Sequence, residues 1–140
     1  MDLQAIRTGI VATLKPLDGL TVYKSVPGSI NAPAVVIHSG DDFITYHETM
    51  GKNLCSIRLD LTVLVARVDD ARALEALDGY LSSGTGVTRS LIDALDADPT
   101  LGGSVDTFVV ESANGPFINT DGGANLAAAT LSLTLYASRK

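Results

Sequence analysis

The sequence predicts an α+β fold: a mostly antiparallel sheet with a long β-hairpin, and helices packed on one face. Three observations lead there. Residues 53–68 alternate, with Cys55, Ile57, Leu59, Leu61, Val63 and Val65 pointing one way and Ser56, Arg58, Asp60 and Thr62 the other. That is the period of a half-buried strand. Residues 124–138 repeat the pattern, with Ala127, Ala129, Leu131, Leu133, Leu135 and Ala137 on one face. Elsewhere apolar residues recur at spacings of three and four, as amphipathic helices require. Strands with helices gathered on one side make a two-layer sandwich.

Asp2 stands where a helix needs a cap, and Leu3, Ile6, Ile10 and Leu14 form its apolar stripe. Gly9 weakens this helix and Pro16 ends it. A short strand is expected over 20–24. The following VPGSINAP has prolines and a glycine that a ladder excludes, so it reads as a loop. Residues 34–38 form a second strand, broken by Gly40, Asp41 and Asp42, and 43–46 is extended again.

HETMGKN then leads into the long strand, with Gly51 as the turn residue. Residues 43–61 thus read as a β-hairpin whose unequal strands let it project as an arm from a single domain spanning 1–140. Tyr46, His47, Glu48, Thr49, Met50, Gly51, Lys52 and Asn53 are its candidate assembly interface. Exposed arms with free backbone groups invite pairing with a neighbouring chain.

Beyond Arg67 the period changes. Asp69 or Asp70 caps a helix with Ala73, Leu74, Leu77, Tyr80 and Leu81 inward. SSGTG interrupts it, and a third helix, with Thr85 as a cap, turns Val87, Leu91, Ile92 and Leu95 inward. It stops before Asp98-Pro99, because the residue preceding proline avoids helical angles. Residues 104–111 alternate as a strand. Asn114-Gly115 and Asp121-Gly122-Gly123 are turn signals, and the second long strand follows. The two long strands suit one another as neighbours.

The chain has 140 residues, one domain's worth, and an ordinary globular composition of 46% hydrophobic and 19% charged residues. No apolar run reaches the ~18 residues of a membrane span, and the N-terminus is expected not to be a signal peptide. Cys55 is alone, which excludes an intrachain disulfide and fits assembly in a reducing cytoplasm. A net charge of −6 argues against a surface that grips nucleic acid. Residues 69–98 carry seven carboxylates against Arg72 and Arg89, a local charge of −5. This is either a solvated helix face or a repulsive surface past which a polyanion slides, with Asp93, Asp96 and Asp98 as its candidates.

No motif carries catalysis. His38, His47, Asp41 and Asp42 are metal-ligand types, but their spacing matches no zinc pattern. Gly84-Thr85-Gly86 lacks the lysine of a phosphate loop and follows a helix rather than a strand. Ser82, Ser83 and Ser90 stand in no nucleophile elbow. Asp93, Asp96 and Asp98 lack the glycine and terminal glutamate of a calcium loop. No cofactor and no metal are expected, and the chain reads as no enzyme.

The arrangement resembles the tail terminator (tail completion) proteins of long-tailed bacteriophages. The resemblance rests on DLQAIRTGIVATL, ITYHETMGKNLCSIRLDLTVLVARV, DDARALEALDGYLSSGTGVTRSLIDAL and the closing pair SVDTFVVES and LAAATLSLTLYA. It covers nearly the whole chain, as architecture and pattern rather than as a short motif. It implies a small α+β virion subunit that closes into a ring, of six copies in the known type. That ring caps the tail tube, ends its growth and meets the head-tail connector, with DNA passing through its lumen. It further implies that the arm reaches a neighbouring protomer or the tube, and that acidic residues facing the lumen repel DNA. The expected location is the virion neck, after assembly in the host cytoplasm, with no membrane partner. Two alternatives remain: another neck, connector or tail-tube subunit on a related fold, or a small dimeric ligand-binding domain or enzyme.

Overall fold

The computed structural model describes residues 2–15, 20–23, 33–46, 54–66, 70–84, 90–98, 100–103, 105–119 and 126–138. In chain order they form α1 (Leu3–Leu14), β1 (Thr21–Tyr23), β2 (Ala34–Thr45), β3 (Leu54–Ala66), α2 (Asp70–Leu81), α3 (Leu91–Asp96), β4 (Thr107–Asn119) and β5 (Leu126–Ser138). The strands make one sheet in the order β1-β2-β3-β5-β4. Every pairing is antiparallel except β1 with β2, which is parallel. The fold is α+β, as the alternation and the helical stripes predict.

The two long one-sided segments are direct neighbours. β3 and β5 are each 13 residues long and pair residue for residue, from Leu54 opposite Ser138 to Ala66 opposite Leu126. At about 3.3 Å per residue each runs roughly 43 Å, more than twice the usual strand. Their matched alternation sorts side chains completely. Ile57, Leu59, Leu61 and Val63 lie over Leu135, Leu133, Leu131 and Ala129 on one face. All eight are buried. Ile6, Ile10 and Leu14 of α1, Leu77 and Tyr80 of α2, and Leu91 and Leu95 of α3 join the same core. The helices therefore cover one face of the sheet.

Local chemistry fixes the helix starts. Asp2, in extended conformation, accepts hydrogen bonds from the Gln4 and Ala5 amides at 3.1 and 3.3 Å. Ser90 does the same for α3, taking the Asp93 amide at 3.0 Å. Its extended backbone begins that helix at Leu91; Thr85 and Val87, expected as the cap and the first inward residue, lie outside the described residues. In α2 the stripe is narrower than expected. Leu77 and Tyr80 are buried, but Leu74 is 45% exposed, because the helix turns the 77/80 side to the sheet and leaves position 74 at the margin of that arc.

Two strands correct the turn signals. Gly40, Asp41 and Asp42 do not break the second strand; they lie inside β2 as an irregularity. Ser39 stands opposite Leu59 and Ile44 opposite Ile57, so residues 40–43 bulge across from Arg58 alone. Likewise Asn114-Gly115 is no hairpin turn. β4 begins at Thr107, not at 104, and continues past residue 111 to Asn119, shifting register between Val110 and Ser112 and again between Asn114 and Phe117. Gly115 has φ +119, and a Cβ there would stand 3.1 Å from the Ala128 carbonyl oxygen. A glycine lets the kinked strand lie that close. The Asp121-Gly122-Gly123 signal lies outside the described residues.

Candidate functional site

Opposite the helices, the strands carry a second set of side chains that lies outside the main core. Strand register sets out its rows. Thr45, Ser56, Tyr136 and Thr107 cross one level; His38, Asp60, Ser132 and Ser112 another; Val36, Thr62, Thr130 and Asn114 a third. Most of these groups are hydroxyls. Thr62 is the hub of a chain across three strands: its Oγ1 lies 2.7 Å from His38 Nε2 and 3.2 Å from Thr130 Oγ1. Arg58 is exposed and its row partner Thr134 is buried, as expected where a long stem lies along a sheet. At one end Val36, Leu64 and Ala128 form a small apolar patch with Tyr23 packed on it.

The hairpin joins β2 to β3, and its stem belongs to the sheet. Cys55 and Ile57 are fully buried, and Cys55 Sγ donates to the Tyr46 carbonyl oxygen at 3.6 Å. Tyr46, 51% exposed, is the last described residue before the tip. His47, Glu48, Thr49, Met50, Gly51, Lys52 and Asn53 lie outside the described residues. On α1, the Arg7 guanidinium sits 5.7 Å from the Phe43 ring centroid, tying the helix to the stem.

The three candidate acidic residues do different things. Asp93 accepts the Gly84 amide at 2.9 Å and thereby ties the end of the α2 segment to α3. Asp98 accepts the Gly102 amide at 2.9 Å and the Thr100 hydroxyl at 3.4 Å, shaping the turn after α3. Asp96 is exposed. Two of the three are thus turn-builders, which the sequence reading did not assign. The signal was present in part: aspartate near glycine, serine and threonine is a common backbone acceptor.

Chemistry-bearing groups do not converge. Among the described residues no three His, Cys, Asp or Glu side chains come together to hold a metal ion. A surface cleft of about 240 Å³ opens between α1 and the turn after α3, lined by Gly9, Thr13, Ala94 and Asp98 among others. Its polar groups are already engaged, Thr13 with the Gly9 carbonyl oxygen and Asp98 with Gly102. A ligand site needs several polar groups aimed at one point, and the cleft does not supply them.

The outer edge of β4 is not legible in the sequence. This strand ends the sheet, and residues 111–115 are exposed along with Thr107 and Val109. Asn114-Gly115-Pro116 hid its length by mimicking a turn.

Comparison with protein-family models finds no match to the chain, and comparison with curated proteins finds none either.

Proposed function

We propose that the chain is a virion structural subunit, a tail terminator. Copies close into a ring that caps the tail tube, stops its growth and presents its other face to the head-tail connector. DNA crosses the lumen without being gripped. The protein acts by assembly and catalyses no reaction; its partners are its own copies, six in the known type, the tube and the connector. It belongs to the virion neck and is assembled in the host cytoplasm.

One observation carries this reading: β3 and β5 pair over their whole length to form a plate with the described helices on one face. A plate about 43 Å long whose second face is rich in hydroxyls suits a subunit that is built against others. The resemblance described from the sequence supports the same reading. The hairpin between β2 and β3 leaves the end of this plate at the exposed Tyr46, where an arm can reach the next subunit or the tube. The acidic stretch 69–98 and the net charge of −6 disfavour DNA binding, and the repulsion accumulates over the copies of a ring.

The test is electron microscopy of purified protein mixed with tail tubes. A terminator forms rings at one tube end and leaves the tube length unchanged. Deleting residues 46–53 is expected to leave the subunit folded and to abolish that capping. Self-polymerisation into long tubes, decoration along the tube wall, or no association at all would overturn the proposal.

A further inference from the structure

We infer that the outer edge of β4 over 107–110 pairs with the same edge of a second copy of this chain, antiparallel about Val109. Natural edge strands are blunted by lysine, proline, inward charge or bulges. In β4 the irregularities begin only after Val110, and the first proline is Pro116. Thr107-Phe108-Val109-Val110 is regular, uncharged and rich in β-formers. Val109 is 47% exposed there, one of three exposed large apolar side chains among the described residues.

The core also runs out to this edge. Phe108 and Val110 point to the helical side; Phe108 is 9% exposed, and Val110 is only partly buried against the core. A second copy related by a twofold axis through Val109 sets Phe108 of each chain beside Val110 of the other. The two cores then continue across the joint. On the open face Val109 meets its own copy, and Thr107 approaches Glu111. Alternation allows a twofold only through a residue. Centring it on Phe108 would set Asp106 opposite Val110, an acid against an apolar core position. The Val109 register avoids this and keeps Asp106 away from Glu111, since like charges facing across a ladder repel.

A ladder of about four residues buries less than the ~1,600 Å² of a standard interface. The dimer is therefore weak and concentration-dependent. It stands apart from the ring: an isologous contact closes at two copies, whereas a ring needs a heterologous one.

Cysteine pairing tests the register directly. Facing residues of an antiparallel pair have Cα atoms about 4.5–5.5 Å apart, inside the ~4.4–6.8 Å range of a disulfide. Val109→Cys, treated with an added oxidant, should form a covalent dimer about tenfold faster than Leu74→Cys, because paired thiols meet at raised effective concentration. Leu74 on α2 is 45% exposed and serves as the unpaired control. Native Cys55 is buried and stays silent. In sedimentation equilibrium the native chain should show a dimer that Val109→Lys removes, with an unchanged circular dichroism spectrum. Equal cross-linking rates at positions 109 and 74, a native chain that stays monomeric at all concentrations, or a dimer that survives Val109→Lys would each overturn the proposal.

Discussion

A Cβ added at Gly9 would stand 2.7 Å from the carbonyl oxygen of Leu101. Leu101 is itself unusual: it has φ +50, the left-handed region that a branched side chain rarely adopts, yet it is 1% exposed. Its position is held by the Asp98 carbonyl oxygen, which accepts the Leu101 amide, and by the Asp98 carboxylate on the next amide. The turn after α3 thus presses backbone against α1 at the one position of that helix without a side chain.

Gly9→Ala should therefore act against helix propensity. Alanine favours a helix interior by about 1 kcal/mol, but overpacking against fixed backbone costs about 1–3 kcal/mol. A net loss of roughly 1–2 kcal/mol is expected from urea unfolding. Gly79→Ala in α2 is the control, since nothing lies within 4 Å of its Cβ. There the propensity acts alone, and a gain of about 0.5–1 kcal/mol is expected. Equal signs for the two substitutions would refute the close approach.

Gly9 also marks the limit of reading structure from sequence. Period two in 53–68 and 124–138 identified the long strands, their buried faces and their suitability as neighbours, because alternation is a property of one strand and its environment. What depended on another segment was hidden. Gly9 looked like a helix weakness because Leu101 is 92 positions away. Gly115 looked like a turn because a bulge and a turn both ask glycine for positive φ. Leu74 fits the helical stripe by spacing, yet the stripe's centre is set by where the sheet lies. Among the candidate site residues, the aspartates were visible as charge, while their amide partners Gly84 and Gly102 were not.

Thr62 offers a test of the open face. Thr62→Val keeps the shape and removes the hydroxyl that His38 and Thr130 share. The side chain is partly exposed, so water can replace some of the loss, and a cost of about 1 kcal/mol is expected. The more specific outcome is coupling. His38→Ala should cost less in the Thr62→Val background than in the native chain, by about 0.5 kcal/mol or more in a double-mutant cycle. Strict additivity would mean that the chain of hydrogen bonds contributes nothing.

The Ser90 cap predicts a local and a global effect. Ser90 is 3% exposed and its hydroxyl accepts the Asp93 amide, so Ser90→Ala removes the partner of a part-buried donor. The expected loss is about 1–2 kcal/mol. Because α3 has only six residues, its cap supports a large part of it. Amide exchange in residues 91–96 should rise more than in β3. Ser90→Asp, which restores an acceptor at a helix start, should recover most of the loss.

Charge reversal can separate electrostatics from architecture in the acidic stretch. Asp93→Lys and Asp98→Lys each remove a carboxylate that accepts a backbone amide, so both should lower stability by about 1–3 kcal/mol whatever the function. Asp96 is exposed, and Asp96→Lys should leave unfolding within about 0.5 kcal/mol of native. In a tail terminator whose acidic surface faces passing DNA, Asp96→Lys particles should assemble normally and eject DNA more slowly, with the delay shrinking as salt rises. Normal ejection kinetics would place Asp96 away from the DNA path and leave its charge as a solubilising one. A salt-independent delay would point to altered packing rather than to repulsion.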